Sequence, residues 1–314
     1  MTQNGVHETE HRITVGAPAD VVYDLIADVR NWPRIFPPTI HVDRTDLGSQ
    51  QERIRVWATA NGEPKTWTSR RVLDPDGRRI TFRQEVSTPP VAAMGGVWTV
   101  EPLSPDRARI VLTHDYRAVN DDPAGLEWID RAVDGNSRSE LAALKENVEA
   151  AHAARDLTFS FEDTVRIAGP AEDVYDFINE ADRWTERLPH VSHVRLDEDA
   201  PGLQTLEMDT KAKDGSVHTT RSHRVCLPHH LIAYKQVTLP PLMRLHTGLW
   251  TFVPGEGEVA ATSQHTVVLN PDNIAGLLGA DASVEDARNY VRDALSTNSR
   301  ATLGHAKDHA ERER

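Results

Sequence analysis

One strand-like segment, Thr66-Trp67-Thr68-Ser69-Arg70-Arg71-Val72, carries more chemistry than any other in the chain. Side chains alternate across a strand, so Trp67, Ser69 and Arg71 share one face and Arg70 and Val72 take the other. An arginine turned inward beside a tryptophan needs a partner or a ligand, because an unpaired buried charge is costly. Its guanidinium is a fixed fork of donors suited to an enolate or alkoxide oxygen, and a neighbouring serine hydroxyl can pass a proton. A later segment, Thr219-Thr220-Arg221-Ser222-His223-Arg224-Val225, sets Ser222 and Arg224 at the same relative places, with Thr220 for Trp67.

Other candidates surround this pair. His114 shares a strand face with Ile110, Leu112 and Tyr116 and is expected to look inward; His265 lies in the matching later strand. The triplet Asn-Ser-Arg occurs at 136–138 and again at 298–300. Asn136 falls three residues after Val133 and Asn298 three after Leu295, which predicts both asparagines beside an apolar helical stripe, bonded to the sheet or to a ligand. Trp32, Phe36, Trp57, Trp67 and Trp98 crowd the first half, whereas Trp184 and Trp250 are matched in the second, together suggesting a pocket for a flat, largely apolar ligand. Each aromatic taken singly is more at home in a core than on a ligand surface. Two proline-bearing segments, 87–96 (STPPVAAMGG) and 238–248 (TLPPLMRLHTG), read as gate-like loops. No Ser/His/Asp nucleophile pattern, phosphate loop, dinucleotide fingerprint or zinc spacing is present, so neither a cofactor nor a metal is expected.

The elements that must position these residues come in two copies. Residues 15–32 (VGAPADVVYDLIADVRNW) and 167–184 (IAGPAEDVYDFINEADRW) align without a gap and share Pro18/Pro170, Ala19/Ala171, Val22/Val174, Tyr23/Tyr175, Asp24/Asp176, Ile26/Ile178 and Trp32/Trp184. The offset, 184 − 32 = 152, is the size of a domain, not of a solenoid repeat. Each half opens with a β-like stretch and a short helix led by proline, runs through several strand-like segments with turn signals at Asn61-Gly62, Asp76-Gly77 and Asp214-Gly215, and closes with a long amphipathic helix near 123–154 or 283–309. The expected class is α+β: two tandem domains, 1–155 and 156–314, each a curved antiparallel sheet wrapped around a long C-terminal helix with an internal pocket.

Composition narrows the function classes. A net charge of −13 disfavours a general nucleic-acid binder, and no apolar run approaches a membrane span. The single cysteine, Cys226, allows no internal disulfide; with an N-terminus unlike a signal peptide, a cytoplasmic location is expected.

The segments WPRIFPPT, KTWTSRR, FRQEVSTPPVAAMGG and GNSRSELAAL, with the duplication, resemble the di-domain aromatase/cyclases of bacterial type II polyketide synthases. That resemblance implies a helix-grip fold (Bet v 1-like, or START-like) and a poly-β-ketone substrate carried on an acyl carrier protein. It implies Arg71 as the pocket arginine with Ser69 and Trp67 as its strand neighbours, and Trp32 and Phe36 at the start of the pocket. Trp57, Gln84, Met94, Trp98 and Asn136 complete the expected substrate contacts, and Trp184, Ser222, Arg224, Trp250 and Asn298 a possible second pocket. A tyrosine found in single-domain members would fall at Thr39 and is absent here.

The reaction so implied is first-ring aldol cyclisation, or dehydrative aromatisation, of a chain reduced at C9 and closed between C7 and C12. Folding the chain so that one pair of carbons meets is the main task, with Arg71 stabilising the oxyanion and Ser69 or His114 moving protons. Expected partners are the acyl carrier protein, the synthase subunits and a ketoreductase, but neither nucleic acid nor membrane; Arg53, Arg55, Arg78, Arg79 and Arg83 are candidates for a basic docking rim. The alternative is a non-catalytic protein that binds or transfers hydrophobic ligands, or a scaffold, since the same fold serves those ends.

Overall fold

The computed structural model describes residues 6–60, 63–153, 155–211, 215 and 217–312. The turn at Asn61-Gly62 and Asp214 of the second turn lie outside them. The chain divides into two compact units, Met1–Ala153 and Ala154–Arg314.

In the first unit, strand β1 (His7–Val15) leads into helix α1 (Ala19–Ala27) and a short helix α2 (Trp32–Ile35). Six strands follow: β2 (Thr39–Gly48), β3 (Gln51–Ala60), β4 (Glu63–Asp74), β5 (Arg79–Gln84), β6 (Val91–Ser104) and β7 (Arg107–Ala118). Helix α3 (Pro123–Ala153) closes the unit. The sheet order is β1-β7-β6-β5-β4-β3-β2, antiparallel throughout.

The second unit repeats this plan with β8 (Thr158–Ile167), α4 (Ala171–Asn179), α5 (Trp184–Arg187), β9 (Val191–Ala200), β10 (Leu203–Lys211), β11 (Val217–Leu227), β12 (Leu231–Thr238), β13 (Met243–Pro254) and β14 (Val259–Leu269). A short α6 (Ile274–Leu278) precedes the final α7 (Val284–Arg312), and the sheet order is β8-β14-β13-β12-β11-β10-β9.

Local sequence explains the frame. Pro18 and Pro170 sit just before α1 and α4, where a missing N–H costs nothing. Ala19, Val22, Tyr23 and Ile26 then fall on one buried helical face, as do Ala171, Val174, Tyr175 and Ile178. The last turns of the long helices tie back to the start of each unit in the same way. Glu149 Oε1 accepts from the Gly16 N–H at 2.7 Å and Lys145 donates to Thr14 O at 3.0 Å. Glu311 Oε1 accepts from the Ala168 N–H and Lys307 donates to Arg166 O, each at 3.0 Å.

The stripe of α3 that faces the sheet runs Val133, Ser137, Leu141, Leu144 and Val148, all buried. This corrects the expectation for Asn136, which is exposed. Asn298 is likewise exposed, and Ser299 is the buried member of its triplet. Steps of four, four, three and four residues keep a side chain on one face of a 3.6-residue helix; a step of three from Val133 turns Asn136 away from it. The gate-like segments are also shorter than expected. Strand β6 begins at Val91 and β13 at Met243, so the glycines at 95, 96 and 248 belong to strands. At 96 and 248 a ring lies across the glycine: a Cβ at Gly96 would meet Phe82 Cζ at 2.7 Å and the Thr113 carbonyl, and one at Gly248 would meet the Tyr234 hydroxyl.

Candidate active site

Antiparallel register sets six inner-face residues of the first unit in one row across the sheet: Glu52, Arg71, Phe82, Gly96, His114 and Thr9. The second unit builds the same row from Gln204, Arg224, Tyr234, Gly248, His265 and Phe161. His114 and His265 are therefore equivalent, each opposite the glycine under the aromatic ring.

Arg71 is 1 % exposed and Glu52 2 % exposed. Arg71 Nε lies 3.4 Å from Glu52 Oε1, while the other carboxylate oxygen accepts from Arg44 Nε at 2.5 Å. Arg71 Nη2 donates to the carbonyls of Ile26 (3.3 Å) and Ala27 (2.9 Å), and the guanidinium rests over the Trp32 ring at 5.3 Å. Trp32 Nε1 donates to Ile26 O as well, at 2.9 Å. The carbonyls that end α1 have no helical partners, so a buried cation and an indole satisfy them. Arg224 does the same for α4, donating to Ile178 O at 2.8 Å with its guanidinium 5.5 Å from the Trp184 ring. Burial pushes the Arg71 guanidinium down to about 10, partly offset by Glu52, so it stays charged at neutral pH. Nη1 of both arginines has no hydrogen-bond partner among the described residues. That nitrogen is what remains for a ligand oxygen.

Ser69 lies two residues along β4 from Arg71, is 4 % exposed, and pairs in register with Ile54 and Gln84. Trp67 packs with Trp32 against Val29, Val42, Ile54, Val56 and Ala58. Phe36 joins Trp32 to Trp98, with ring centres at 5.3 and 6.1 Å. Met94 packs beside Tyr116 and Val133. These residues are thus brought onto one concave face. Trp57 is not: it alternates with Val56 and Ala58, lies opposite Thr66, and packs on the outer face against His41 and the Arg55 guanidinium. In the second unit, Trp250 and Trp184 belong to one buried cluster, and Ser222 is 8 % exposed.

His114 sits edge-to-face with Phe82 at 5.6 Å, and its Nδ1 lacks a partner among the described residues. Burial lowers its basicity to about 4, so it is a neutral imidazole at pH 7. Three strand spacings of about 4.8 Å separate it from Arg71, roughly 14 Å, with Phe82 and Gly96 between. The two cannot exchange a proton directly; a ligand would have to lie between them.

Glu140 was not singled out from the sequence. On α3 it shares a flank with Asn147, whose Nδ2 donates to Ile35 O in α2 at 3.1 Å. The opposite flank serves β1, through Asp134 to His11 at 2.9 Å and Lys145 to Thr14 O. Glu140 is half-buried, with protein atoms around its carboxyl. Desolvation alone raises its carboxyl to about 7. Trp32, Trp67, Phe82, Gln84, Met94 and His114 keep partial surface in the same way, while Ile54, Trp98, Leu112 and Leu141 around them are buried. A carboxyl near its midpoint, a free guanidinium nitrogen and an aromatic wall suit proton transfer at carbon beside a carbonyl.

The family described as polyketide cyclase / dehydrase and lipid transport matches residues 6–149 and, in a second form, 167–285. The chain belongs to this family. It is 59% identical over 94% of its length to the granaticin polyketide synthase bifunctional cyclase/dehydratase of Streptomyces virginiae, covering 97% of that protein. It is 45% identical to the actinorhodin counterpart of Streptomyces coelicolor, covering 98% of each. Among solved structures, the di-domain aromatase/cyclase BexL of the BE-7585A biosynthetic pathway superposes with a TM-score of 0.90 at 67% identity, covering 97% of this chain and 99% of that one. StfQ of the steffimycin pathway gives 0.88 at 34% over the same shares. The chain is thus a di-domain polyketide cyclase/dehydratase with two Bet v 1-like units. No helix among the described residues is long and apolar enough to cross a membrane.

Proposed function

We propose that the protein folds a poly-β-ketone held on an acyl carrier protein, closes its first ring by aldol addition between C7 and C12 after reduction at C9, and promotes loss of water toward the aromatic ring, with the first unit carrying the ring closure. The observation that carries this is the concave row itself: Arg71 at one end, His114 at the other, and Trp32, Phe36, Phe82 and Trp98 between or beside them.

Glu140 takes the proton from the methylene carbon, which attacks the ketone carbon. The carbonyl oxygen becomes an alkoxide against Arg71 Nη1, and the proton returns to it through Ser69 or water. Gln84 and Met94 line the path of the chain. Partners follow from the same reading: the carrier protein, the synthase subunits and a ketoreductase. Of the five arginines expected at a docking rim, three are already paired, Arg53 with Glu85, Arg78 with Asp20 and Arg83 with Asp115. Arg55 and Arg79 are the better candidates for contacts with an acidic carrier.

The test is to add the full-length protein to a minimal type II synthase with its ketoreductase. The expected result is replacement of spontaneously cyclised products by one aromatised first-ring product. An unchanged product profile would instead favour the carrier alternative, and Arg71→Lys with full activity would remove that residue from the chemistry.

A further inference from the structure

The second unit holds a buried polar cluster that the reading above does not use. Tyr234 Oη lies 3.0 Å from His265 Nδ1 and 3.4 Å from His246 Nε2. The two imidazoles meet at 3.0 Å between His246 Nε2 and His265 Nδ1. His265 Nε2 faces the hydroxyls of Ser299 (2.7 Å) and Ser263 (3.1 Å), and His246 Nδ1 faces Gln236 Oε1 at 2.8 Å. His246, His265, Ser263 and Ser299 are at most 4 % exposed. Tyr234 and Gln236 keep partial surface, although Tyr234 too is surrounded by protein.

Comparison within the chain shows that this cluster is built, not inherited. The first unit has Phe82 for Tyr234 and Leu112 for Ser263 by register, and Met94 for His246 at the same offset of 152. Only the histidine, Gln84/Gln236 and Ser137/Ser299 recur. Three apolar side chains in one copy stand where the other has a phenol, an imidazole and a hydroxyl, all bonded to one histidine. A core gains nothing from such exchanges, because each added polar group must be satisfied.

Hydrogen-bond roles follow from the acceptors. Gln236 Oε1 can only accept, so His246 carries its proton on Nδ1 and leaves Nε2 bare. Ser263 donates to Ser299, and Ser299 can donate to His265 Nε2, which places the His265 proton on Nδ1, 3.0 Å from both the phenol oxygen and the bare His246 Nε2. The phenol then shares the His265 proton with His246 Nε2, and because that nitrogen is its nearest acceptor only at 3.4 Å, the phenol can turn its own proton to the interior.

We propose that the second unit is a dehydration site in which Tyr234 is the acid–base group and His265, set by Ser299, is its positioning residue. The inference rests on the polyketide reading above and assigns this unit the elimination step on the cyclised β-hydroxy ketone. From the enol of that ketone, the enol oxygen re-forms a carbonyl and a new carbon–carbon double bond forms. The bond to the hydroxyl breaks, the leaving oxygen takes the Tyr234 proton and departs as water, and the enol proton returns to the phenolate held by His265. Burial raises the phenol above its ordinary range, which keeps the acid loaded. Arg224 Nη1, at the other side of Tyr234 in the row, lies toward the carbonyl end.

The full-length protein, with Tyr234→Phe, Ser299→Ala and Ser299→Thr, is added to a minimal type II synthase with ketoreductase, and the ratio of hydrated to aromatised first-ring product is read by mass. Tyr234→Phe is expected to shift that ratio by about 100-fold while ring closure continues. Ser299→Ala is expected to shift it about tenfold and Ser299→Thr to restore it, with melting temperatures matching the parent. A Tyr234→Phe protein that aromatises like the parent overturns the proposal. Should that variant fold poorly, Ser299→Ala with an unchanged ratio overturns it equally. If the parent itself leaves the product profile unchanged, the polyketide reading fails and takes this inference with it; an active parent beside an unaffected Tyr234→Phe sinks this inference alone.

Discussion

Phe82 and Tyr234 hold the same place in the two sheets, each opposite an arginine on one neighbouring strand and a glycine on the other, and they differ by one hydroxyl. Each ring needs its glycine. Alanine at Gly96 would drive a methyl group into Phe82 and the Thr113 carbonyl; at Gly248 it would meet the Tyr234 hydroxyl and, at 2.6 Å, Gln264 O. A backbone oxygen cannot step aside as a flexible side chain can. Gly96→Ala and Gly248→Ala should each cost about 1–3 kcal/mol or more, read as a lower urea midpoint for the unit concerned.

The buried pair of Arg71 and Glu52 predicts strong coupling. Removing either partner leaves an uncompensated charge in the interior, at a cost of about 3–5 kcal/mol. Glu52→Leu and Arg71→Met should each lower the melting temperature by roughly 10 °C, and the double variant by less than their sum. A double variant whose loss equals the sum would show the 3.4 Å contact to be energetically idle. In the second unit Gln204 stands in that place and bonds, at 2.7 Å, Glu198, whose charge still supports Arg224.

Much of this was legible in the sequence, and the misses have physical reasons. The duplication, the alternation that turns Trp67, Ser69 and Arg71 inward, and the closing helices all follow from short-range periodicity. Trp57 lies two residues from Arg55, so alternation puts both on the outer face despite the aromatic character that suits Trp57 to a pocket. Glu52 shares alternation with Ile54 and Val56 and was readable as inward, yet only register reveals Arg71 as its partner. In the Asn-Ser-Arg triplets the serine and not the asparagine faces the sheet, because a four-residue step from Val133 or Leu295 selects Ser137 or Ser299. The Tyr234–His246–His265 cluster joins three strands and could not be read from any one of them.

Four histidines predict acid sensitivity. His41, His114 and His265 are lowered by burial to about 4 and His246 to about 3, all neutral in the folded protein at pH 7. The unfolded chain takes up their protons near pH 6.5, so their contribution is fully present above that pH and is lost as pH falls toward 4. Each steepens the loss by about 1.4 kcal/mol per pH unit at most. Denaturant midpoints measured from pH 7 to 4 should fall steeply, and His246→Gln should flatten the curve of the second unit. A flat profile over that range would mean the imidazoles are solvated.

Glu140 predicts the opposite slope in the first unit. Its folded-state carboxyl is raised to about 7 from an ordinary 4.5. Between those values the unfolded chain is ionised while the folded protein still holds the proton. The folded state therefore loses ground as pH rises from about 4.5 to 7, by up to about 3 kcal/mol, and no more above that. Glu140→Gln removes the titration. The variant should be more stable than the parent at pH 8, equal to it near pH 4, and without the descending limb between. If Glu140 is also the base for ring closure, the same variant should lower the rate of cyclisation by about 100-fold, and the parent's rate should rise with pH through about 7. Stability and rate would then move in opposite directions through one ionisation, as expected of a carboxyl kept dry for its chemistry. A Glu140→Gln protein with parental cyclisation and a parental pH–stability curve would return this residue to the helix surface.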